Sequence, residues 1–128
     1  MPSLYRTNIR FSTFRPASVG GNSVAQLLAE LNDRLGSNSR DLVILDIREK
    51  DALEAGHIPG ARHLPRGQLE LGVNTELPDP TVRILTCCEF GKISTLAAAT
   101  LRELGFGRAA ALDGGMRAWR EAGYAVES

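Results

Sequence analysis

Val24, Leu27, Leu28, Leu31 and Leu35 fall at the i, i+3, i+4, i+7 and i+11 positions of one helix face. Ser23 with Gln26 three residues on reads as a capping box, and Gly36 as the stop. The pattern then changes. Leu42 to Leu45 is a short continuous apolar run ending at Asp46, the signature of a strand covered on both faces. Residues 49–55 suit a short helix. Gly56-His57-Ile58-Pro59-Gly60 must turn, because Pro59 keeps Ile58 out of the helical region. A short strand is expected from Ala61 to Leu64, followed by a mostly irregular stretch from Pro65 to Pro80 with one helical turn near Gln68 to Leu71.

Val82 to Thr86 is the second strong strand candidate. Ile93, Leu96, Ala97, Thr100, Leu101 and Leu104 again share a helix face, stopped at Gly105. Ala109 to Leu112 is a third apolar run. Asp113 is expected to cap a last helix that carries Met116 and Trp119 into the core and closes at Gly123. Short strands alternating with helices predict an α/β domain with a mainly parallel sheet.

The chain has 128 residues, 43% of them hydrophobic, which suits one domain with its own core. The domain is expected over 23–128, after an irregular extension over 1–22. That extension holds Arg6, Arg10 and Arg15, and no acidic residue precedes Glu30. An organelle presequence shares this composition, but a plain lead-in to the domain is the better reading. Fifteen basic and fifteen acidic residues cancel, so no overall field favours nucleic acid or an anionic membrane surface. No apolar run has the length of a membrane span. The only cysteines, Cys87 and Cys88, are adjacent. They cannot staple distant segments, and a disulfide between neighbours would strain the backbone. A reducing, cytoplasmic setting is expected. With His57 and His63 they also lack the paired spacing of a structural zinc site, so no metal is expected.

The chemistry is expected at the carboxyl ends of the strands, where open α/β sheets form their sites. Two ends stand out: Asp46-Ile47-Arg48, and Cys87-Cys88 leading through Glu89, Phe90, Gly91, Lys92 and Ile93 to Ser94. A thiol at a strand end, followed by a short glycine-containing loop and a helix, lies over unpaired backbone N–H groups. Such groups favour a thiolate and can hold an anion. Strand alternation sends Cys87 into the core and opens Cys88 toward the loop, which marks Cys88 as the nucleophile. The plainer alternative is that both thiols are small buried hydrophobes.

Asp46-Ile47-Arg48-Glu49 followed by Gly56-His57-Ile58-Pro59-Gly60-Ala61 resembles the paired motifs of rhodanese domains. Cys88 to Ser94 is similar to their active loop, with glycine three residues after the cysteine. Leu112-Asp113-Gly114-Gly115 followed by Trp119 resembles their closing segment. Three motifs in the same order cover roughly residues 23 to 126. The resemblance implies a five-stranded parallel sheet flanked by helices, and a sulfurtransferase without metal or organic cofactor. It implies that Cys88 takes a sulfane sulfur from thiosulfate or a low-molecular-weight persulfide and passes it to a thiol, to cyanide or to a protein acceptor. It assigns donor binding to Glu89, Phe90, Gly91, Lys92, Ile93 and Ser94. Asp46 and Arg48, at a strand end near the site, are read either as support of the active loop or, slightly preferred and compatible with it, as an ion pair that fixes two loops. Many family members have arginine where this chain has Ile93, and Glu89 stands beside the thiol, which leaves the donor open between thiosulfate and a persulfide. A non-catalytic module that binds a partner or senses persulfides is the competing reading.

Other residues have plainer roles. His57 is expected to hold its turn by hydrogen bonds, His63 to lie on a strand or the surface, and Arg66 to be a solvated charge near the site mouth. A phosphatase of related fold would need arginine six residues after the cysteine to clamp an oxyanion. Ser94 and Ile93 stand at those positions, counting from Cys88 and Cys87, which argues against that chemistry.

Overall fold

A computed structural model describes residues 24–36 and 42–128, and the side chains of the first helix from Leu28 to Leu35. The expected extension over 1–22, the capping box at Ser23 and Gln26, and the packing of Val24 and Leu27 lie outside these described parts. Helix α1 (Val24–Gly36) leads to strand β1 (Leu42–Asp46), helix α2 (Lys50–Ala55) and strand β2 (Arg62–His63). A 3-10 turn (Arg66–Gln68) then enters helix α3 (Leu69–Glu76). Strand β3 (Arg83–Cys87), helix α4 (Lys92–Glu103), strand β4 (Ala109–Ala111) and helix α5 (Gly115–Glu121) complete the order.

The strands lie in the order β2-β1-β3-β4 and every pairing is parallel. Asp46 stands opposite Cys87, and Thr86 opposite Ala111. The chain leaves β1 in one direction to reach β2 and comes back past it to β3 and β4. The crevice where the winding reverses therefore opens between the carboxyl ends of β1 and β3.

Alternation along the central strands divides the core in two. On one face Leu45, Ile84 and Cys88 pack with Leu69, Val73 and Leu77 of the α3 region and with Ala97, Ala98 and Leu101 of α4. On the other, Ile44, Leu85 and Cys87 pack with Leu28 and Leu31 of α1 and with Met116 and Trp119 of α5. Helices cover both faces, as the continuous apolar runs predict for a parallel sheet.

Three expectations need correction. The stretch from Pro65 to Pro80 is not mostly irregular: Leu69, Val73 and Leu77, four residues apart, bury one side of a two-turn helix. Gly72 inside it and Leu71, 88% exposed, break the apolar periodicity and hide it. Asp113 does not cap α5, because that place is taken by Gly114 in a left-handed conformation, with no side-chain cap. The described residues form four strands, not five. After α5 the chain makes only an isolated antiparallel bridge, between Glu127 and His57.

Candidate active site

Parallel register brings the two strand-end motifs together. The Ile47 N–H donates to the Cys87 carbonyl at 3.0 Å, which ties the exit of β1 to the exit of β3. Thr86, buried on β3, donates its hydroxyl to the Ser94 carbonyl at 2.8 Å and docks the first turn of α4 on the strand below it. The loop between Cys88 and Ser94 is thereby closed over a short span.

The Cys88 sulfur lies inside this loop. It accepts the Gly91 N–H at 3.1 Å and the Ser94 N–H at 3.3 Å, and the Ser94 hydroxyl oxygen is 3.3 Å away. These donors belong to the start of α4, where N–H groups have no partner within the helix and carry partial positive charge. The Ser94 hydroxyl donates to the Gly91 carbonyl at 3.0 Å and that of Thr95 does so at 2.8 Å, which pins the loop's last peptide. Cys88 is 5% exposed, so the opening that alternation leads one to expect is narrow.

Two carbonyls of the loop are bonded to the next helix. The Met116 N–H donates to the Cys88 carbonyl at 2.9 Å, and the Arg117 N–H to the Glu89 carbonyl at 3.0 Å. Unpaired donors at the start of α5 thus take up two loop carbonyls. This close approach depends on Gly115. A Cβ there would lie 2.4 Å from the Cys88 carbonyl oxygen, and the backbone φ is +58°. Gly91, at φ +103°, turns the loop into α4 against the backbone of Gly114. The glycine pair after Asp113 is visible in the sequence, but what it accommodates is not.

Asp46 and Arg48 form a fork at the end of β1. The Arg48 Nη2 reaches Asp46 Oδ2 at 2.8 Å and its Nε reaches Oδ1 at 3.0 Å. Nη2 also donates to the Gly56 carbonyl at 2.8 Å. Burial works to lower the pKa of this guanidinium, but the hydrogen bonds and charge of Asp46 outweigh it and hold it above its ordinary value. Nη1 extends to Glu89 Oε1 at 3.5 Å, and the other Glu89 oxygen is gripped by Arg120 on α5. Glu89 therefore directs its charge to two arginines. Arg120 is a partner the sequence did not reveal, because it stands 31 residues from Glu89.

The remaining loop residues face outward. Phe90 is 60% exposed and Ile93 54%, and Lys92 is exposed as well. The Arg117 guanidinium lies 5.8 Å from the centre of the Phe90 ring. A shallow depression between the loop and α5 is lined by Phe90, Lys92, Gly114 and Arg117. Cys87 points to the opposite core, and burial pushes its thiol far above the ordinary value, with the charge of Asp46 adding to the effect. His57 places Nδ1 2.9 Å from the Leu53 carbonyl, and His63 places Nε2 2.8 Å from the Arg48 carbonyl. Arg66 pairs with Glu70 on the surface. Among the described residues no helix is long and apolar enough to cross a membrane.

The family model for the rhodanese-like domain matches residues 27–122. A thiosulfate sulfurtransferase GlpE of Pseudoalteromonas translucida is 39% identical over 103 residues, covering 80% of this chain and 89% of its own length. A putative sulfur carrier protein YrkF of Bacillus subtilis is 31% identical over 103 residues, and the matched part is only 55% of that longer protein. Among solved structures, the Alr3790 protein of Anabaena superposes with a TM-score of 0.73 at 28% identity, over 79% of this chain and 89% of that one.

Proposed function

The chain belongs to the rhodanese-like domain family, and from that premise we propose that it is a sulfurtransferase in which Cys88 carries the sulfur in transit. The observation that carries this reading is the pair of N–H groups, from Gly91 and Ser94, directed at the Cys88 sulfur. Donors fixed in place before reaction stabilise negative charge on that sulfur at no cost in reorganisation. The thiolate attacks the outer sulfur of the donor. A new S–S bond forms, the donor's own bond to that sulfur breaks, and its electron pair leaves with sulfite when the donor is thiosulfate, or with a thiolate when it is a persulfide. The acceptor then attacks the outer sulfur, and Cys88 departs as thiolate. No net oxidation occurs, and two half-reactions at one nucleophile give ping-pong kinetics.

Further support comes from relatives named as thiosulfate sulfurtransferases, such as the one that is 39% identical over 103 residues. Gly91 and Ser94 serve as the persulfide's cradle. Asp46 and Arg48 hold the loop from the side of β1. Phe90, Lys92 and Ile93 form the rim that a donor meets first. We assign these roles to a domain over 23–128, with residues 1–22 preceding it.

The test is mass spectrometry of the intact protein and its peptides after incubation with thiosulfate, and separately with glutathione persulfide. The expected result is a gain of one sulfur on Cys88 that cyanide removes as thiocyanate. A folded, reduced protein that gains no sulfur from either donor would refute the proposal and leave a binding or sensing module as its replacement.

A further inference from the structure

We propose that Glu89, held between Arg48 and Arg120, sets the donor class by cancelling the cations at the site mouth, which favours an organic persulfide over dianionic thiosulfate. This rests on the sulfur-transfer reading above.

Glu89 directly follows Cys88, just past the carboxyl end of β3, and its side chain is 36% exposed. The natural counter-ions for an anionic donor approaching Cys88 from this side are the guanidiniums of Arg48 and Arg120. Both already have a carboxylate of the chain as partner. Arg48, its side chain 7% exposed, is forked onto Asp46 and reaches Glu89 Oε1 at 3.5 Å. Arg120 grips the other Glu89 oxygen. Two carboxylates and two guanidiniums make a neutral cluster where a thiosulfate-binding site would concentrate positive charge. Arg117, the next cation along α5, is paired with Glu121. Lys92 remains exposed on the rim.

The rim instead offers apolar surface. Phe90 and Ile93 flank the loop with more than half their area in solvent. An organic persulfide has a carbon body to lay on such a surface, and its reacting end bears at most one charge, against two on thiosulfate. Glu89 thus acts through the charge it balances, without touching the reacting sulfur.

The readout is the ratio of kcat/KM for thiosulfate to that for glutathione persulfide, followed as sulfur gain on Cys88. The wild-type protein is expected to favour the persulfide. Glu89→Gln frees the arginine pair, and the ratio should rise about five-fold at low salt. That is the size expected for the Coulomb effect of one protein charge on the extra charge at the reacting end of thiosulfate, across a partly solvated loop. Arg120→Gln should lower the ratio by a similar factor, and the double variant should return near the wild-type value. The differences should shrink at high ionic strength. A wild-type preference for thiosulfate overturns the proposal, and so does a ratio that stays within two-fold in every variant. Equal loss of rate with both donors in Glu89→Gln would reduce Glu89 to a loop-positioning role and also overturn it. Failure of the underlying reading looks different: the wild-type protein would then gain no sulfur from either donor.

Discussion

The two cysteines are chemically unlike although they are neighbours. Cys88 meets the N–H groups at the start of α4, whereas Cys87 is sealed in the opposite core with its ionised form strongly disfavoured. Iodoacetamide at neutral pH should therefore modify Cys88 and spare Cys87, as peptide mapping would reveal. Cys88→Ser should abolish sulfur gain with little change in Tm. Cys87→Ser should keep the transfer but lower stability by about 1–3 kcal/mol, because a hydroxyl in that apolar site loses its hydration. The raised Cys87 value also fixes the sign of a pH effect. The unfolded chain releases this proton near the ordinary value of 9.0 while the folded chain retains it. The contribution is thus fully present below that pH and is lost as pH rises above it. Chemical denaturation between pH 8 and 10 should show the wild-type stability falling more steeply than that of Cys87→Ala. At this scale the sequence was informative, since alternation along a strand separates adjacent side chains whatever the rest of the fold does. The partners of Glu89 were not legible. Arg120 meets it only after β4 and the turn into α5 have brought the chain back.

Loop and helix depend on each other most visibly at Gly115. Its substitution by alanine would drive a Cβ into two loop carbonyls at a backbone angle that side chains rarely adopt. Gly115→Ala should cost about 2–4 kcal/mol by urea unfolding and lower kcat for sulfur transfer, since the two carbonyls it displaces anchor the Cys88 loop to α5. Gly105 is the control. It also has a positive φ, of +106°, but a Cβ there meets nothing. Gly105→Ala should cost only about 1–2 kcal/mol and leave transfer intact. Most elements could be read from periodicity, because each buries one regular face. Helix α3 could not, since Gly72 and the exposed Leu71 interrupt its pattern while three residues four apart bury it. The start of α5 was misread for another reason: a cap from Asp113 was expected, and the neighbouring loop supplies acceptors in its place.

Across the whole molecule, the fork at Asp46 joins parts that are distant in sequence. Arg48 is hydrogen-bonded to Asp46, to the carbonyl at the end of α2 and to the loop after β3. Asp46→Asn would leave a buried guanidinium short of its main counter-charge. It should lower stability by about 3 kcal/mol in urea unfolding, more than an exposed pair such as Lys50 and Glu54 could account for. The α/β class was evident from the order of short apolar runs and helix faces, and the same order led to the strand ends at which the candidate site is proposed. The strand order rests on long-range pairing and had to come from the structure. The four described strands also mark where the family resemblance promised more sheet than is found.

The central sheet puts the two thiols in separate compartments, and no other cysteine exists in the chain. On the sulfur-transfer proposal, a sulfur loaded on Cys88 would have no second thiol in this chain placed to expel it as an internal disulfide. How long the loaded protein stays charged would then depend on when it meets a second molecule. That dependence would let abundance of the acceptor, more than any property of the carrier, set the pace of the cycle.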